Sequence, residues 1–159
     1  MAQLFAGAAV LLAAVATSTQ AQTQQDLLRD GNGGSTDNVL TYGMGYHQQR
    51  YSPLKQIDRK TVKRLVPVWS ASLANEFGEQ GQPLVYNGVL YTANVKRVVA
   101  IDVASGKQLW MTPLEWDPAV ARVVCCGLSN RGVALYNGKV YVASLDAQVR
   151  ALEIGRAHV

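Results

Sequence analysis

Two stretches, "LVYNGVLYTA" at residues 84–93 and "ALYNGKVYVA" at residues 134–143, repeat one pattern within this chain of 159 residues. Each places an Asn-Gly pair between two apolar runs. Asn-Gly is a strong signal for a two-residue β-hairpin, because a type I′ turn needs positive φ at both central residues. The repeat therefore predicts two hairpins, with turns at residues 87–88 and 137–138.

Further strands flank both hairpins. "VAID" at residues 99–102 is matched by "RALE" at residues 150–153, so each copy has a third strand. The first copy continues through a turn at Gly106 into a fourth strand at Gln108–Leu114. Repeats of about 50 residues built from short antiparallel strands are typical of β-propeller blades. We predict an all-β fold with one whole blade, most of a second, and a strand of another blade at Leu65–Ser72.

The first 21 residues, "MAQLFAGAAVLLAAVATSTQA", carry no charge and contain an apolar run from Leu4 to Val15. The run ends in small residues suited to cleavage before Gln22, which predicts a secretory signal peptide. A membrane anchor is the alternative, although the run is shorter than the roughly 20 residues that a spanning helix needs. We expect a periplasmic protein, in a compartment where disulfides form and persist.

Residues 22–64 form a polar lead-in segment before the strands. It predicts a short helix near Gln24–Arg29 and a second one opened by Asp58, whose Val62 and Leu65 would face inward.

Composition and charge favour a globular protein without a nucleic-acid partner. Hydrophobic residues make up 48% of the chain and charged residues 16%. The formal net charge is +4, but the basic residues are scattered, and the densest group, at residues 59–64, is typical of a solvated helix face. His47 and His158 are isolated in sequence and predict no metal site.

The stretch "RVVCCGLSNRG" at residues 122–132 contains Cys125 and Cys126, the only cysteines of the chain. A disulfide between neighbours is strained, because their α-carbons lie about 3.8 Å apart and ordinary disulfides need roughly 4.4–6.8 Å. Strain of this kind tends to occur at functional sites. From these residues alone, a disulfide and a pair of reduced or independently buried cysteines both remain open.

Several segments together resemble the N-terminal part of the quinoprotein alcohol dehydrogenases, the methanol and ethanol dehydrogenases that use pyrroloquinoline quinone (PQQ). They are "RYSPLKQIDRKTVKRLVPVW" (50–69), "GEQGQPLVYNGVLY" (78–91), "AIDVASGKQLW" (100–110) and the cysteine stretch continued to residue 152. The resemblance implies that residues 65–152 supply about two blades of an eight-bladed propeller. It also implies oxidation of a primary alcohol to an aldehyde by hydride transfer to PQQ.

The resemblance assigns roles to the cysteine stretch. It implies a vicinal disulfide between Cys125 and Cys126 that lies against one face of PQQ. Arg131 matches an arginine that binds a cofactor carboxylate, a pairing that suits the planar guanidinium. A salt bridge between blades is the alternative role for Arg131. Asn130 is expected to shape the turn.

A second segment contributes a further candidate. Gln80 falls where several members of the family have a glutamate that contacts PQQ, and its amide could hydrogen-bond the cofactor. Glu79, one residue earlier, is a weaker candidate, because alternation along an extended segment sends the two side chains to opposite sides. Trp110 matches a residue that docks one blade on the next, and we expect Trp69 and Trp116 to be structural as well.

The resemblance also implies components outside this sequence. A Ca²⁺ or lanthanide ion, its Glu and Asn ligands and the catalytic Asp are expected beyond Val159, so residues 1–159 alone are expected to be inactive. The expected partners are a small alcohol, a c-type cytochrome as electron acceptor and, at full length, a second copy in a homodimer. The ending "EIGRAHV", residues 153–159, is similar to a translated sequencing adapter, and we expect it to be an artefact.

Two other functions compete with the alcohol dehydrogenase. One is a non-catalytic periplasmic propeller that acts as a scaffold, and the other is a sugar-oxidising propeller dehydrogenase. The adjacent cysteines followed by Asn130-Arg131-Gly132 disfavour the scaffold, which has no use for a strained sulfur pair. The sugar-oxidising class typically carries several membrane helices ahead of its propeller.

Overall fold

The computed structural model describes residues 22–155, so the predicted signal peptide, His158 and most of the predicted artefact lie outside the described residues. This part of the chain has one α-helix, two short 3₁₀ helices and seven strands. The helix is α1 (Gln24–Asp30), and the 3₁₀ helices are Val62–Arg64 and Pro118–Arg122. The strands are β1 (Leu84–Tyr86), β2 (Val89–Ala93), β3 (Arg97–Asp102), β4 (Gln108–Pro113), β5 (Val133–Tyr136), β6 (Lys139–Ala143) and β7 (Val149–Glu153).

The strands form two antiparallel sheets in chain order. One sheet has the order β1-β2-β3-β4 and the other β5-β6-β7, and every neighbouring pair is antiparallel. One four-stranded sheet and one three-stranded sheet are what a whole blade and most of a second require. The prediction of an all-β partial propeller is confirmed.

The two Asn-Gly turns adopt the predicted geometry. Asn87 and Gly88 have φ values of 48° and 75°, and Asn137 and Gly138 have values of 46° and 73°. Because asparagine and glycine tolerate the left-handed region better than other residues, these pairs close two-residue hairpins without strain. The turns fix the register of β1 with β2 and of β5 with β6.

The core lies between the two sheets and joins them. Leu84, Tyr91 and Val98 of the first sheet share one buried cluster with Val140 and Leu152 of the second. Since each sheet buries one face against the other, neither blade has a separate core. The two sheets should therefore unfold together.

Trp110 connects the two sheets, as the resemblance implied. Its ring lies 6.1 Å from the Tyr91 ring, and its Nε1 donates a hydrogen bond to the carbonyl oxygen of Ile154 over 3.2 Å. β7 extends to Glu153, so the second sheet continues one residue past the predicted end at 152, and Ile154, which follows the strand, is buried. Whether residues 153–159 are an artefact stays a prediction.

Substituting Trp110 with alanine is expected to lower the free energy of unfolding by about 3 kcal/mol, since a large aromatic ring packed against the core shared by the two sheets is lost. Trp110→Phe is the matched control, because it keeps a ring against Tyr91 and loses only the hydrogen bond to Ile154, worth about 1 kcal/mol. Denaturant unfolding followed by far-UV circular dichroism measures both. Equal losses for the two variants would contradict a packing role for the ring.

The lead-in segment is docked on the first sheet through α1. Thr23 and Asp26 form a reciprocal capping box at the start of this helix. Asp26 Oδ2 also accepts a hydrogen bond from the hydroxyl of Tyr86 over 3.2 Å, and Val39 forms an antiparallel bridge with Val85. The lead-in segment is therefore an added layer on the edge strand β1.

Asp30 holds the end of α1 to the loop that follows it. Its buried carboxylate accepts hydrogen bonds from Arg29 and from Asn38 Nδ2, the latter over 2.8 Å. The hydrogen bond from Arg29 lowers the pKa of this carboxyl below its ordinary value. The pKa of Asp26 is lowered as well, chiefly by the Thr23 backbone N–H.

These lowered pKa values predict an acid-sensitive lead-in segment. Because the folded pKa of Asp30 lies below its unfolded value near 4, its stabilisation is present above that pH and is lost as the pH falls through the folded pKa. We expect Asp30→Asn to lower the free energy of unfolding by about 1 kcal/mol at neutral pH. The variant should also lose less stability than the parent as the pH falls below about 4. Unfolding midpoints across a pH series, with Asp37→Asn as the control, test this. If Asp30→Asn and the parent lost stability equally as the pH falls, this prediction would be contradicted.

Two predictions about the residues that precede the first sheet are wrong within the described part of the chain. Residues 65–72 form no strand, because no other strand of residues 22–155 pairs with them. Val62 and Leu65 do not face inward and are 46% and 59% exposed. The 3₁₀ helix itself is present, preceded by a turn in which Asp58 Oδ1 accepts from the backbone N–H groups of Lys60 and Thr61.

Trp69 and Trp116 have the structural roles that were predicted. Trp69 Nε1 donates to the Val103 carbonyl over 2.8 Å, and Trp116 Nε1 donates to the Val95 carbonyl over 2.7 Å. Each indole thereby fastens an irregular segment to the first sheet.

Candidate functional site

The two segments that carry the predicted cofactor residues lie side by side. Gln82 forms a parallel bridge with Gly132, and the glycine at position 81 packs directly on the same residue. A Cβ atom added to Gly81 would lie 2.9 Å from both the Cα and the N of Gly132. The segment containing Gln80 and the loop containing Arg131 are therefore neighbours in space.

Because this contact is between backbones, it leaves no room for a side chain. We expect Gly81→Ala to lower the free energy of unfolding by about 1–3 kcal/mol, the usual range for overpacking. Gly78→Ala is the matched control in the same loop, since a Cβ there meets nothing within 4 Å. Thermal unfolding of both variants measures the difference, and equal melting temperatures would refute the close contact.

Cys125 and Cys126 follow the 3₁₀ helix Pro118–Arg122 on the exposed surface. Their Sγ atoms lie 2.8 Å apart, and Cys126 has a φ of 70°. A positive φ is uncommon for a residue other than glycine and marks a constrained turn. The two sulfurs are thus held side by side, and the disulfide between them stays a prediction.

The sulfur pair has a positive group within electrostatic reach. The Cys125 sulfur raises the pKa of the Cys126 thiol, first through their hydrogen bond and then through charge repulsion, while the charge of Arg131 acts in the opposite direction. A pair of soft sulfur atoms beside a guanidinium suits a flat anionic ligand. Arg131 supplies the charge, and the sulfurs supply a polarisable surface.

Arg131 lines an open cavity of about 590 Å³. Its side chain is exposed and forms no ion pair with any residue in the range 22–155. The alternative role, a salt bridge between the two blades, is therefore not formed in this part of the chain. The other cavity-lining residues are mostly small or apolar and come from the second sheet, the loop before it and the lead-in segment: Tyr42, Gly132, Val133, Ala134, Tyr141, Val142, Ala143 and Val149.

Asn130 shapes the loop beneath Arg131, as predicted. It is buried, its Nδ2 donates to the Ala143 carbonyl over 2.8 Å, and its Oδ1 accepts from the Gly132 backbone N–H over 2.8 Å. These two hydrogen bonds fix the backbone on both sides of Arg131. The arginine therefore projects from a loop anchored to β6.

Glu79 and Gln80 have different surroundings. Glu79 Oε1 accepts hydrogen bonds from Asn75 Nδ2 over 2.9 Å and from Asn94 Nδ2 over 3.2 Å, so this carboxylate holds its own loop together. The Gln80 side chain is exposed and makes no hydrogen bond to the described residues. Of the two, Gln80 is the one left available to a ligand.

The sequence analysis missed Gln82. Its Oε1 accepts a hydrogen bond from the Gly43 backbone N–H over 2.8 Å, and its backbone meets Gly132. Gln82 thus joins the lead-in segment to the loop of Arg131. Nothing in the local sequence pattern indicated this contact, which depends on residues far apart in the chain.

Two negative observations apply to residues 22–155. No group of three or more His, Cys, Asp or Glu side chains is arranged to hold a metal ion. Within the same range, no helix combines the length and apolar character that crossing a membrane requires.

Comparison with known proteins places these features in one family. Residues 40–156 match the family described as glucose/ethanol/alcohol dehydrogenase, beta-propeller domain, of the PQQ type. The chain is 46% identical over 115 residues to the quinohemoprotein alcohol dehydrogenase ADH IIB of Pseudomonas putida, covering 72% of this chain and 17% of that protein. It is 43% identical over 136 residues to the 1-butanol dehydrogenase (quinone) of Thauera butanivorans, covering 82% and 21%.

Solved structures show the same similarity. The quinohemoprotein alcohol dehydrogenase of Comamonas testosteroni matches with a TM-score of 0.78 and 35% identity, over 86% of this chain and 20% of that one. A europium-containing methanol dehydrogenase matches with a TM-score of 0.76 and 29% identity, over 84% and 24%. The chain thus spans about a fifth of the length of the relatives that it matches.

Proposed function

Because the chain belongs to the glucose/ethanol/alcohol dehydrogenase β-propeller family of the PQQ type, we propose that it is the N-terminal part of a periplasmic, PQQ-dependent alcohol dehydrogenase. The whole protein would oxidise a primary alcohol to an aldehyde. The observation that carries the proposal is Arg131, which is exposed and forms no ion pair in residues 22–155, in the same loop as the paired sulfurs of Cys125 and Cys126 and within electrostatic reach of Cys126.

The residues present fit the cofactor chemically. PQQ is a flat molecule that carries several carboxylates, and Arg131 offers a planar fork of donors that binds a carboxylate bidentately. The adjacent sulfurs would contact one face of the ring system, and the Gln80 amide would donate a hydrogen bond at its edge. When bound, PQQ supplies the acceptor for a hydride from the alcohol.

In this segment, the protein's own residues would bind PQQ and hold it in one orientation. Asn130 and Gly132 fix the loop of Arg131, and Gln82 holds that loop against the segment of Gln80. Holding a reactant within a narrow range of positions lowers the barrier of the step that follows. Residues 22–155 thereby form one wall of the cofactor site.

The remaining components are part of the same proposal. We expect a Ca²⁺ or lanthanide ion with ligands from elsewhere in the full-length protein, in line with the europium named for one structural neighbour. We expect a c-type cytochrome to accept the electrons, which agrees with the haem indicated by the names of two matched proteins. The substrate is a small primary alcohol.

The experiment is reconstitution of the full-length gene product. The purified apoprotein is mixed with PQQ and either Ca²⁺ or a lanthanide, and alcohol-dependent reduction of a dye is followed with ethanol and 1-butanol. We expect turnover only when PQQ and a metal are both present. An apoprotein that fails to bind PQQ would instead favour the non-catalytic scaffold, and turnover without PQQ would also refute the proposal.

A further inference from the structure

The chain contains three Asn-Gly pairs, at residues 32–33, 87–88 and 137–138. The last two are a matched pair, because both follow a tyrosine and both close a two-residue hairpin with nearly equal φ values. In each of these hairpins the glycine carbonyl accepts a 2.9 Å hydrogen bond from the residue after the third strand of its sheet, Val103 or Ile154. A difference in reactivity between the two turns therefore has to come from their other contacts.

The backbone N–H of the glycine distinguishes the three pairs. Gly33 donates this N–H to the Asp30 carbonyl over 3.3 Å, and Gly138 donates its N–H to the Gln22 carbonyl over 3.1 Å. The N–H of Gly88 has no acceptor among residues 22–155, and both Asn87 and Gly88 are exposed. Of the three glycine nitrogens, the one at position 88 is the one left unrestrained by the described residues.

An Asn-Gly pair can react with itself, because glycine has no side chain to keep its nitrogen away from the asparagine amide. The attacking species is the deprotonated backbone nitrogen of the glycine. A hydrogen bond from that N–H to a carbonyl retains the proton and restrains the nitrogen, so the reaction then requires a local opening that breaks the bond. Asparagine is for this reason among the thermolabile residues of proteins.

We propose that Asn87 is a site of spontaneous deamidation in the folded protein, whereas Asn32 and Asn137 are protected. The Gly88 nitrogen attacks Cγ of Asn87, and a bond forms between these two atoms. The bond between Cγ and Nδ2 breaks, and ammonia leaves with the proton from the Gly88 nitrogen. Water then opens either C–N bond of the resulting succinimide ring, which gives aspartate or isoaspartate without any oxidant or reductant.

The reaction would alter a turn that positions two parts of the fold. The turn fixes the register of β1 with β2, and the Asn87 N–H donates to Asn38 Oδ1 of the lead-in segment over 3.0 Å. Isoaspartate adds one carbon to the main chain, which a two-residue hairpin turn does not accommodate. Protein that has reacted at Asn87 is therefore expected to hold its lead-in segment less firmly and to unfold more easily.

The test is prolonged incubation of the purified full-length gene product at mildly alkaline pH, in buffer and in concentrated urea. Tandem mass spectrometry of its peptides locates the conversion of amide to acid, and an isoaspartyl methyltransferase assay detects isoaspartate. In the folded protein we expect Asn87 to react roughly fivefold faster than Asn137, the factor that corresponds to one hydrogen bond of about 1 kcal/mol. In urea the two rates should be equal, since both sites read Tyr-Asn-Gly.

Three results would overturn the proposal: equal rates at Asn87 and Asn137 in the folded protein, a faster reaction at Asn32 or Asn137, or no reaction at Asn87. A rate difference that persists unchanged in urea would also overturn it, because the difference would then not depend on the fold. The readout is mass and needs neither cofactor nor substrate. Failure of this inference is therefore distinguishable from failure of the proposed dehydrogenase function.

Two variants separate the modification from its consequence. Asn87→Gly keeps a residue that tolerates positive φ in the turn but has no amide to react, so its unfolding midpoint should stay constant during incubation. Asn137→Gly is the matched control and should react at Asn87 at the parental rate, with a falling midpoint. If the midpoint of Asn87→Gly fell as far as that of the parent, the structural consequence would be refuted.

Discussion

Replacing Cys125 and Cys126 together with serine in the full-length protein is expected to reduce PQQ-dependent alcohol oxidation about 100-fold, the scale of a misplaced reactant. Serine keeps the shape of each side chain, with a smaller and more polar atom in place of sulfur, but cannot form a bond between the two. The rigid sulfur surface beside Arg131 is lost, and the cofactor becomes free to shift. Steady-state dye reduction at saturating PQQ measures the effect.

The single variants decide between a pair and two separate cysteines. If the sulfurs act as one bonded unit, Cys125→Ser, Cys126→Ser and the double variant should all lose about the same activity, because either change breaks the unit. Ser129→Ala in the same loop serves as the control and should retain parental turnover. Additive losses from the single variants, or parental turnover in the double variant, would contradict a functional disulfide.

The hairpins could be predicted from sequence because their determinants are local. The Asn-Gly pairs at residues 87–88 and 137–138 both need positive φ, and no distant contact is required to select that turn. The same holds for the turn at Asp102, whose carboxylate accepts from the Ser105 N–H over 2.8 Å. Where the turn residues and the alternating apolar residues beside them indicate the same hairpin, the pairing of the two strands can be predicted from the sequence.

The errors occurred where a segment depends on partners far away in the chain. Residues 65–72 have the apolar pattern of a strand, but an isolated strand leaves its backbone groups unpaired, and residues 22–155 contain no strand beside it. An apolar sequence pattern favours a strand, but the strand forms only where a neighbouring strand pairs with its backbone groups. The exposed Val62 and Leu65 have the same explanation.

Only part of the candidate site could be identified from the sequence, for the same reason. Cys125, Cys126 and Arg131 could be identified because they stand together in one short stretch. The contact of Gln82 with Gly132, and its hydrogen bond to Gly43, could not be identified, because they join three separate segments. The sequence therefore offered candidate binding residues, whose roles stay predictions, but not the backbone contacts that position them.

Arg131→Ala is expected to weaken PQQ binding by the full-length apoprotein roughly 10- to 100-fold, equivalent to the loss of about 1.5–3 kcal/mol from hydrogen bonds to a charged group. Arg131→Lys should recover part of the affinity, because it restores the charge but not the bidentate fork. Fluorescence titration of each apoprotein with PQQ measures the dissociation constants. Arg122→Ala, an exposed arginine in the neighbouring 3₁₀ helix, is the control.

The same variant has an effect that can be measured without the cofactor. The charge of Arg131 opposes the rise in the pKa of the Cys126 thiol, so its removal from the reduced protein should raise that pKa further. The rate of thiol alkylation should then increase at a higher pH in Arg131→Ala than in the parent or in Arg122→Ala. If both the alkylation profile and the PQQ affinity were unchanged, Arg131 would lie too far from the sulfurs to share a ligand with them. A shifted profile with unchanged affinity would place Arg131 beside the sulfurs but outside the cofactor site.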